Sequence, residues 1–463
     1  MKRIAIVGGG IAGLTAAYEL SQQARNGASI EVVLFESTHR LGGIVETIRE
    51  GGFIIECGPD AWVTEKPWAK ALADELGLAD EIISSNDDTR KTYVLLDGHL
   101  QPMPDGMRMM VPTDLTALDN SELFSHEAKQ AFHAEITRAD ELKATAPQHD
   151  ESVADFVHRH FGNEVLEKIG APLLSGVFGG DVAKLSIRAV MAPFVAMEQQ
   201  QGSLIAALQS RAKTATEKPA IFTTLRSGLG TLIDRMIAAI PPEWIRLGDE
   251  VSFISNSDEG WIVGTAREVE RFDAIIITTP IDAARSLLEP IDNRIAKLME
   301  MDASSAVVVG FGFANAANFT IPPGFGFLVP PGSGSLLLAA TFMDQKFPDR
   351  VPENGRLVRA FFGGAAAERL MRCGNDETAS VARLELARIL GPLPEPQVTV
   401  VRRWPRSLPQ YSVGHLDRMA ELTNRVQIIK GLTLLGNGYH GVGLPDLIRD
   451  ARDAVRSITS RFA

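Results

Sequence analysis

The stretch Ile4-Ala5-Ile6-Val7-Gly8-Gly9-Gly10-Ile11-Ala12-Gly13 decides how the rest of the chain is interpreted. Lys2–Val7 is short and apolar, which is typical of a buried strand, and a helical pattern of small residues follows over residues 11 to about 24. The glycine cluster between them predicts a tight turn. The chain is therefore expected to begin with a strand, a turn and a helix in direct succession.

Gly8, Gly10 and Gly13 have the G-x-G-x-x-G spacing of a dinucleotide-binding loop. In such a loop the first glycine forms the turn, the second lets the backbone approach a pyrophosphate, and the third lets the helix pack on the strand. The phosphates bind free N–H groups at the helix N-terminus, here those of Ile11 and Ala12, where the helix dipole favours negative charge. The spacing predicts a Rossmann-type fold that binds a dinucleotide.

A second strand and a charged turn support this interpretation. Residues 30–35 predict a strand that leads into Glu36, close to the roughly 20-residue offset at which an acidic side chain meets a ribose 2′-hydroxyl. Arg40, Gly42 and Gly43 follow, and a basic side chain with two glycines can reach back to the pyrophosphate. We predict that all four residues contact the dinucleotide.

Length and composition limit the class of protein. The 463 residues exceed the size at which one hydrophobic core keeps growing, which predicts two or three domains. The chain is 45% hydrophobic and 22% charged, as folded globular proteins are, and its formal net charge of −12 argues against nucleic acid as a partner. Cys57 and Cys373 make no disulfide framework, and we expect no signal peptide before the first strand. We expect a cytoplasmic protein.

The order of predicted elements gives an α/β fold class in three parts. Strand and helix patterns of the first part return near residue 219, after a stretch of helical patterns, and several glycine-punctuated strands follow. The predicted ranges are 1–85, 219–290 and 404–463 for a discontinuous Rossmann-type domain, 86–218 for a mostly helical insertion, and 291–403 with the hairpin 90–100 for a mixed-sheet substrate domain.

Two features leave alternatives open. The apolar residues 107–112 fit either ordinary core or an exposed lip that touches a membrane surface or admits substrate. No stretch approaches 18 uncharged apolar residues, so any membrane contact is expected to be peripheral, on the inner face. His440 near the C-terminus is a lone histidine, and a structural role is the commoner one. The chain shows no Ser-His-Asp set and no metal-spaced His/Cys set, so we predict no catalytic side chain and no metal.

Five segments together resemble one family. The Arg40-Leu41-Gly42-Gly43 turn resembles an extension found in the FAD-dependent amine oxidase and desaturase superfamily, which also shares the end of the chain at 441–446. The segments 172–181 with 185–188, 324–330 and 409–415 resemble the protoporphyrinogen and coproporphyrinogen oxidases of haem synthesis. The resemblance implies a discontinuous FAD-binding domain, a substrate domain and a helical domain that touches the membrane in many members.

The resemblance also implies further site residues. Gly58 and Pro59 would pass close to the flavin ring, and the backbone of Val251 would meet the adenine. The remaining predicted FAD contacts are Trp404, Gly436, Val442, Gly443 and Leu444, the last three at a helix N-terminus that would face the flavin. The predicted substrate contacts are Arg90, Lys91, Gly176, Phe325, Gly326, Leu328 and Phe361. Because the C-terminal segment has no cysteine, we predict noncovalent FAD.

The implied reaction is hydride removal from a porphyrinogen, with FAD as acceptor and oxygen or another acceptor reoxidising it. Coproporphyrinogen carries propionates where protoporphyrinogen has vinyl groups and needs more cations around it. Arg90 and Lys91 are the two candidates, because some members have an arginine where this chain has Thr92. We predict protoporphyrinogen IX, with coproporphyrinogen III as the alternative. An amine oxidase or desaturase, and a flavin-binding protein without turnover, remain more distant alternatives, and a homodimer is possible.

Overall fold

A computed structural model describes residues 1–214, 220–314, 316 and 319–460. The predicted boundary at 218 and 219 and the last three residues of the predicted 404–463 segment lie outside the described residues. The strands are β1 Lys2–Val7, β2 Ile30–Glu36, β3 Thr47–Glu50, β4 Phe53–Glu56, β5 Trp62–Val63, β6 Ile82–Ser84, β7 Thr92–Leu96, β8 His99–Pro102, β9 Met107–Arg108, β10 Val111–Pro112, β11 Phe222–Leu225, β12 Ile245–Leu247, β13 Val251–Ser257, β14 Gly260–Thr265, β15 Val269–Phe272, β16 Ala274–Ile277, β17 Ala303–Phe313, β18 Gly326–Leu328, β19 Ala339–Phe342, β20 Arg356–Phe362, β21 Val398–Pro409 and β22 Leu432–Leu434.

The α-helices alternate with these strands at both ends of the chain and cluster between β10 and β11. They are α1 Ile11–Arg25, α2 Trp68–Glu75, α3 Leu115–Asp119, α4 His126–Thr137, α5 Ala139–Thr145, α6 Val153–Phe161, α7 Asn163–Val165, α8 Ala171–Phe178, α9 Ile187–Val190, α10 Ala192–Gln201, α11 Leu204–Thr214, α12 Gly230–Ala239, α13 Ile281–Leu288, α14 Asn293–Leu298, α15 Met343–Lys346, α16 Gly364–Leu370, α17 Asn375–Leu390, α18 His415–Ile428 and α19 Leu444–Ser460.

The N-terminal strand is the centre of a parallel sheet with the order β12-β2-β1-β16-β22. Its Ile4 and Ile6 pack in one core with α1, α12 and α19, whereas Ala5 and Val7 pack in a second core with β13 to β15 and α13. A strand buried on both faces has a continuous apolar sequence. The sheet brings together segments from the start, middle and end of the chain, so the predicted α/β class is confirmed.

A second, mixed sheet has the order β21-β17-β20-β19-β18-β7-β8. Its strands pair antiparallel except for β18 with β7. The β7–β8 hairpin turns at Asp97 and Gly98, both with positive φ, which suits the twist of a two-residue hairpin turn. This hairpin thereby joins strands more than 200 residues later in one sheet.

The helices α3 to α11 form a separate core around Phe132, Phe156 and Phe161. Residues 107–112 belong to it, as the short strands β9 and β10, and Met110 and Val111 are 1% and 0% exposed. An exposed apolar lip over these residues is therefore wrong for Met110 and Val111, because the turn between the strands points them inward. Of the apolar residues in this stretch only Met109, which has positive φ in that turn, is exposed, at 36%.

None of the described helices combines the length and the apolar character needed to cross a bilayer.

Candidate functional site

The glycine loop between β1 and α1 is closely packed at two of its three glycines. A Cβ at Gly8, whose φ is +110°, would lie 2.8 Å from Thr278 Oγ1, and a Cβ at Gly13 would lie 2.0 Å from the carbonyl oxygen of Gly8. Any side chain at either position would force the strand and helix apart. The first and third glycines therefore have the turn and packing roles expected from their spacing.

Gly10, in contrast, faces open space. A Cβ built there meets no atom within 4 Å, although its backbone is extended and would accept any residue. The space lies at the first turn of α1, where the N–H groups of Ile11 and Ala12 begin the helix, and a helix N-terminus attracts phosphate. The loop thus has the cradle that a dinucleotide pyrophosphate would fill.

The Arg-Leu-Gly-Gly turn lies against this cradle. Gly42 N donates to Gly9 O at 2.8 Å, and a Cβ at Gly43 would lie 3.2 Å from Gly10 Cα. The Arg40 guanidinium donates to the carbonyl oxygens of Gly43 and two other residues of its own loop. Arg40 therefore shapes the turn, and its contact with a pyrophosphate stays a prediction.

Glu36 lies at the end of β2, beside the glycine loop. One carboxylate oxygen accepts from Gly9 N and the other from Thr38 N, both at 2.8 Å. Asp249 N donates to Glu36 O at 3.0 Å, which brings the start of β13 and hence Val251 to the same edge of the sheet. The contacts of Glu36 and Val251 with the adenosine half of a dinucleotide stay predictions.

The C-terminal loop meets the N-terminal one at the end of β16. A Cβ at Gly436 would lie 3.7 Å from Thr279 O, next to the Thr278 hydroxyl that packs on Gly8. Val442 and Gly443 lead from this loop into α19, which begins at Leu444. The structure therefore brings these predicted contacts, more than 400 residues apart in sequence, to one side of the parallel sheet.

Gly58 and Pro59 are held by long-range contacts. A Cβ at Gly58 would lie 2.0 Å from Ile44 O, and Arg359 donates to the Gly58 carbonyl oxygen. Trp404 Nε1 donates to Cys57 O at 2.8 Å. Trp404 thus holds the residue directly before the predicted flavin-contacting segment through a hydrogen bond to its backbone.

Arg359 is the residue that sequence reasoning missed. It is 1% exposed on β20 and contacts Asp60 at 3.1 Å, and Lys346 Nζ lies 2.9 Å from the same carboxylate. Burial opposes ionisation of Asp60, but the charges of Lys346 and Arg359 hold the pKa of this carboxyl below its ordinary value. The sequence did contain a signal for this residue. A single charged residue within the apolar run of β20 indicates a buried side chain with an ionic partner.

Two of the predicted substrate residues, Leu328 and Phe361, share one face of the mixed sheet. Cross-strand pairing aligns Leu328 with Val94 on one side and with Ala339 on the other, and Ala339 with Phe361. Directly paired residues point to the same face of a sheet. Val94 belongs to the core of the helical part, so this apolar row faces the helices.

Gly176 lies on α8, a helix that contacts β18, the strand that carries Leu328. A Cβ at Gly176 meets no atom within 4 Å, so open space adjoins the helix at that point. Leu328 and Phe361 on the sheet and Gly176 on the helix are therefore the predicted substrate residues that the fold brings to the interface of sheet and helices.

The reason for the glycines around Phe325 differs from the expected one. We expected Gly324 and Gly326 to let a flat ligand approach. Both have φ near +140°, and a Cβ would lie 2.4 Å from Lys91 O at Gly324 and 2.0 Å from Ala340 O at Gly326. These glycines are required by strand packing, and Phe325 itself is 8% exposed, with its N–H bonded to Lys91 O.

The two predicted cations stand apart from the apolar row. Arg90 forms an ion pair with Asp87 at 3.7 Å, and the Lys91 side chain is exposed just before β7. Thr92, where some members of the resembled family have an arginine, pairs with Gly326 on the face of the sheet that carries Leu328. The structure does not bring Arg90 and Lys91 together with Leu328 and Phe361.

Three comparisons with known proteins agree with this geometry. The model of the flavin containing amine oxidoreductase family matches residues 11–459. Coproporphyrinogen III oxidase of Bacillus subtilis is 31% identical over 98% of this chain and 97% of its own length, and chloroplastic protoporphyrinogen oxidase of Nicotiana tabacum is 29% identical over 99% and 86%. A crystal structure from Exiguobacterium sp. 255-15, provisionally named a protoporphyrinogen oxidase, has a TM-score of 0.86 at 31% identity and covers 99% of both chains.

The fold and the cradle define a flavin-dependent oxidoreductase with FAD as cofactor, as predicted. The chain belongs to the flavin containing amine oxidoreductase family. Other bacterial relatives named coproporphyrinogen III oxidase are 28 to 30% identical to it.

Proposed function

We propose that the protein oxidises coproporphyrinogen III to coproporphyrin III in haem synthesis. The bacterial relatives of that name align with nearly the whole chain, including its substrate sheet and helical part. They support the alternative substrate better than the protoporphyrinogen IX that we first predicted. The tobacco relative supports oxidation of a porphyrinogen without favouring coproporphyrinogen.

The observation that carries this proposal is the apolar row on the mixed sheet opposite the open space at Gly176. Leu328, Ala339 and Phe361 offer a wall for a flat, largely apolar macrocycle. Gly58, held by Arg359, lies on the same side of β20. A macrocycle between wall and helix would therefore lie beside the segment that we predict to contact the flavin ring.

Bound FAD would supply the hydride acceptor at its N5 atom. The residues of the chain need only hold the macrocycle, exclude water and orient the cofactor, because aromatisation supplies the driving force. No side chain is assigned as an acid or base. His440 is exposed, in keeping with a structural role.

The test is anaerobic mixing of the holoprotein with reduced coproporphyrinogen III and, in parallel, protoporphyrinogen IX. We expect fast loss of the oxidised flavin absorbance with coproporphyrinogen III, followed by coproporphyrin fluorescence. Bleaching by protoporphyrinogen IX alone would contradict the substrate, and bleaching by neither would contradict the reaction and favour an amine oxidase, a desaturase or a protein without turnover.

A matched pair of variants separates binding from folding. Gly176→Phe fills the open space opposite the apolar row and should abolish bleaching while FAD stays bound. Gly374→Phe, at the N-terminus of α17, also adds a side chain to open space but lies in the helices behind the sheet, and should react normally. Equal rates in the two variants would show that the macrocycle binds elsewhere. Reoxidation by oxygen or another acceptor, membrane contact and a homodimer stay predictions.

A further inference from the structure

Residues 409–415 connect β21 to α18 and are not among the predicted FAD or substrate contacts. The sequence of this segment resembles the corresponding segment of the porphyrinogen oxidases. Its Tyr411 and His415 are buried, at 3% and 0% exposed, whereas Val413 is exposed. The segment lies between the C-terminal loop and the helical part.

The Tyr411 hydroxyl holds two backbone groups of the C-terminal loop. It donates to Asn437 O at 2.6 Å and accepts from Gly441 N at 3.1 Å. The hydroxyl therefore spans the loop that leads into Val442 and Leu444, the predicted flavin contacts at the start of α19. One hydroxyl oxygen therefore links two positions of the loop that are four residues apart.

His415 holds the middle of the same loop. Its ring stacks on Tyr411 with centroids 3.9 Å apart and an interplanar angle of 11°, and Nε2 lies 2.9 Å from Tyr439 O. Because a carbonyl oxygen only accepts, Nε2 carries the proton. Burial lowers the pKa of His415 to about 4, so the ring is neutral and donates from Nε2 at physiological pH.

The other side of the segment contacts the helical part. Tyr411 O accepts from Ser186 N at 2.7 Å, Val413 N donates to Lys184 O at 2.9 Å, and Gln410 Nε2 donates to Phe178 O at 2.7 Å. Phe178 ends α8, the helix that carries Gly176. The segment thus joins the wall of the substrate space to the loop before α19.

We propose that Tyr411 and His415 are positioning residues that fix the N-terminus of α19 against the flavin. This inference rests on FAD contact at 442–444 and on no particular substrate. A helix N-terminus carries partial positive charge and stabilises negative charge developing beside it. The stacked pair bonds the backbone at residues 437, 439 and 441. These bonds keep the helix N-terminus, and therefore its partial positive charge, in a fixed position.

The test compares two tyrosines of the same neighbourhood. Tyr411→Phe keeps the stacked ring and removes the hydroxyl with its two hydrogen bonds. Tyr439→Phe removes a hydroxyl that is buried and has no hydrogen-bond partner among the described residues. FAD release from each holoprotein on dilution, the flavin midpoint potential and the visible flavin spectrum are measured without any substrate.

We expect Tyr411→Phe to weaken FAD binding about tenfold, the effect of about one net hydrogen bond, and to shift the midpoint potential to a more negative value. Tyr439→Phe should match the natural protein in all three measurements. Tyr411→Phe with natural values, or both variants changed alike, would overturn the proposal.

If Tyr411→Phe does not fold, His415→Phe decides the question. It keeps an aromatic ring on Tyr411 and removes the donor to Tyr439 O, so FAD release should quicken and the potential should fall. Natural values in a folded His415→Phe would overturn the inference. Because these measurements need no porphyrinogen, a failure of the proposed reaction would leave them intact.

Discussion

The guanidinium of Arg359 lies 3.1 Å from the carboxylate of Asp60, and the two side chains are 1% and 15% exposed. Asp60 directly follows Gly58 and Pro59, whereas Arg359 belongs to the mixed sheet. The contact therefore joins the predicted flavin-contacting segment to the sheet that we propose as a wall for the substrate.

Replacing Arg359 with Met should lower the free energy of unfolding by about 3–5 kcal/mol, the cost of breaking a buried ion pair by removing one partner. The same change also removes the donor to Gly58 O, so FAD should bind less tightly. Urea unfolding of the holoprotein measures the first effect. Arg271→Met is the control, since its pair with Glu259 is exposed on both sides and should contribute less than about 1 kcal/mol. Equal losses in the two variants would contradict the assignment.

The contribution of Asp60 to the free energy of unfolding should decrease at acid pH. The pKa of Asp60 is held below its ordinary value of 3.8, so the folded state binds this proton less readily than the unfolded state. The stabilisation is thus complete above the ordinary carboxyl pKa and is lost as pH falls through the folded pKa. Asp60→Asn should be less stable than the natural protein at neutral pH, and the difference should shrink on acidification. A constant difference from pH 7 to pH 3 would contradict this.

His160 should give the opposite pH dependence. Its ring is 1% exposed between Glu135 and Glu198, at 3.1 and 3.2 Å, and joins helices of the helical part. Burial opposes the charge, but hydrogen bonds to both glutamates raise the pKa of His160 above 6.5. The folded pKa is raised, so its stabilisation is present below pH 6.5 and is lost as pH rises through the folded value.

His160→Gln should therefore unfold at lower temperature than the natural protein at pH 6, with a loss of about 3 kcal/mol. The deficit should shrink at alkaline pH. His133→Gln is the control, because its contact with Asp119 is about half exposed on both sides and contributes about 0–1 kcal/mol. A deficit that does not change with pH would show that the ring is neutral throughout.

Local sequence patterns predicted those parts of the site whose geometry is determined by residues close together in sequence. Spacing alone placed Gly8 and Gly13, because turn geometry and helix packing depend on residues a few positions apart. Arg359 could not be placed, since its partners Asp60 and Gly58 lie some 300 residues away in sequence. The sequence also could not show that a glycine is required at position 326 by the close approach of a neighbouring strand rather than by a ligand.

The glycine loop allows fold and cofactor binding to be separated. Gly10→Ala adds a Cβ that meets no protein atom, so the apoprotein should keep its stability within about 0.5 kcal/mol while FAD binds at least about tenfold more weakly. Gly13→Ala places its Cβ 2.0 Å from Gly8 O and should cost about 1–3 kcal/mol in the apoprotein itself. Thermal unfolding of the apoproteins and FAD titration give both numbers. Natural FAD affinity in Gly10→Ala would show that the pyrophosphate does not approach this residue.

The turn between β9 and β10 allows a test of the apolar stretch for which ordinary core and an exposed lip were the two alternatives. Met110 is 1% exposed in the helical core, so Met110→Lys buries an unpaired ammonium and should cost about 3 kcal/mol or more. Met109→Asp changes a residue that is 36% exposed and should alter stability by less than about 0.5 kcal/mol. One exposed methionine offers too little apolar surface to hold a protein on a bilayer, so flotation of Met109→Asp with neutral vesicles should equal that of the natural protein. Loss of flotation in this variant, at unchanged thermal stability, would show that the turn does contact lipid.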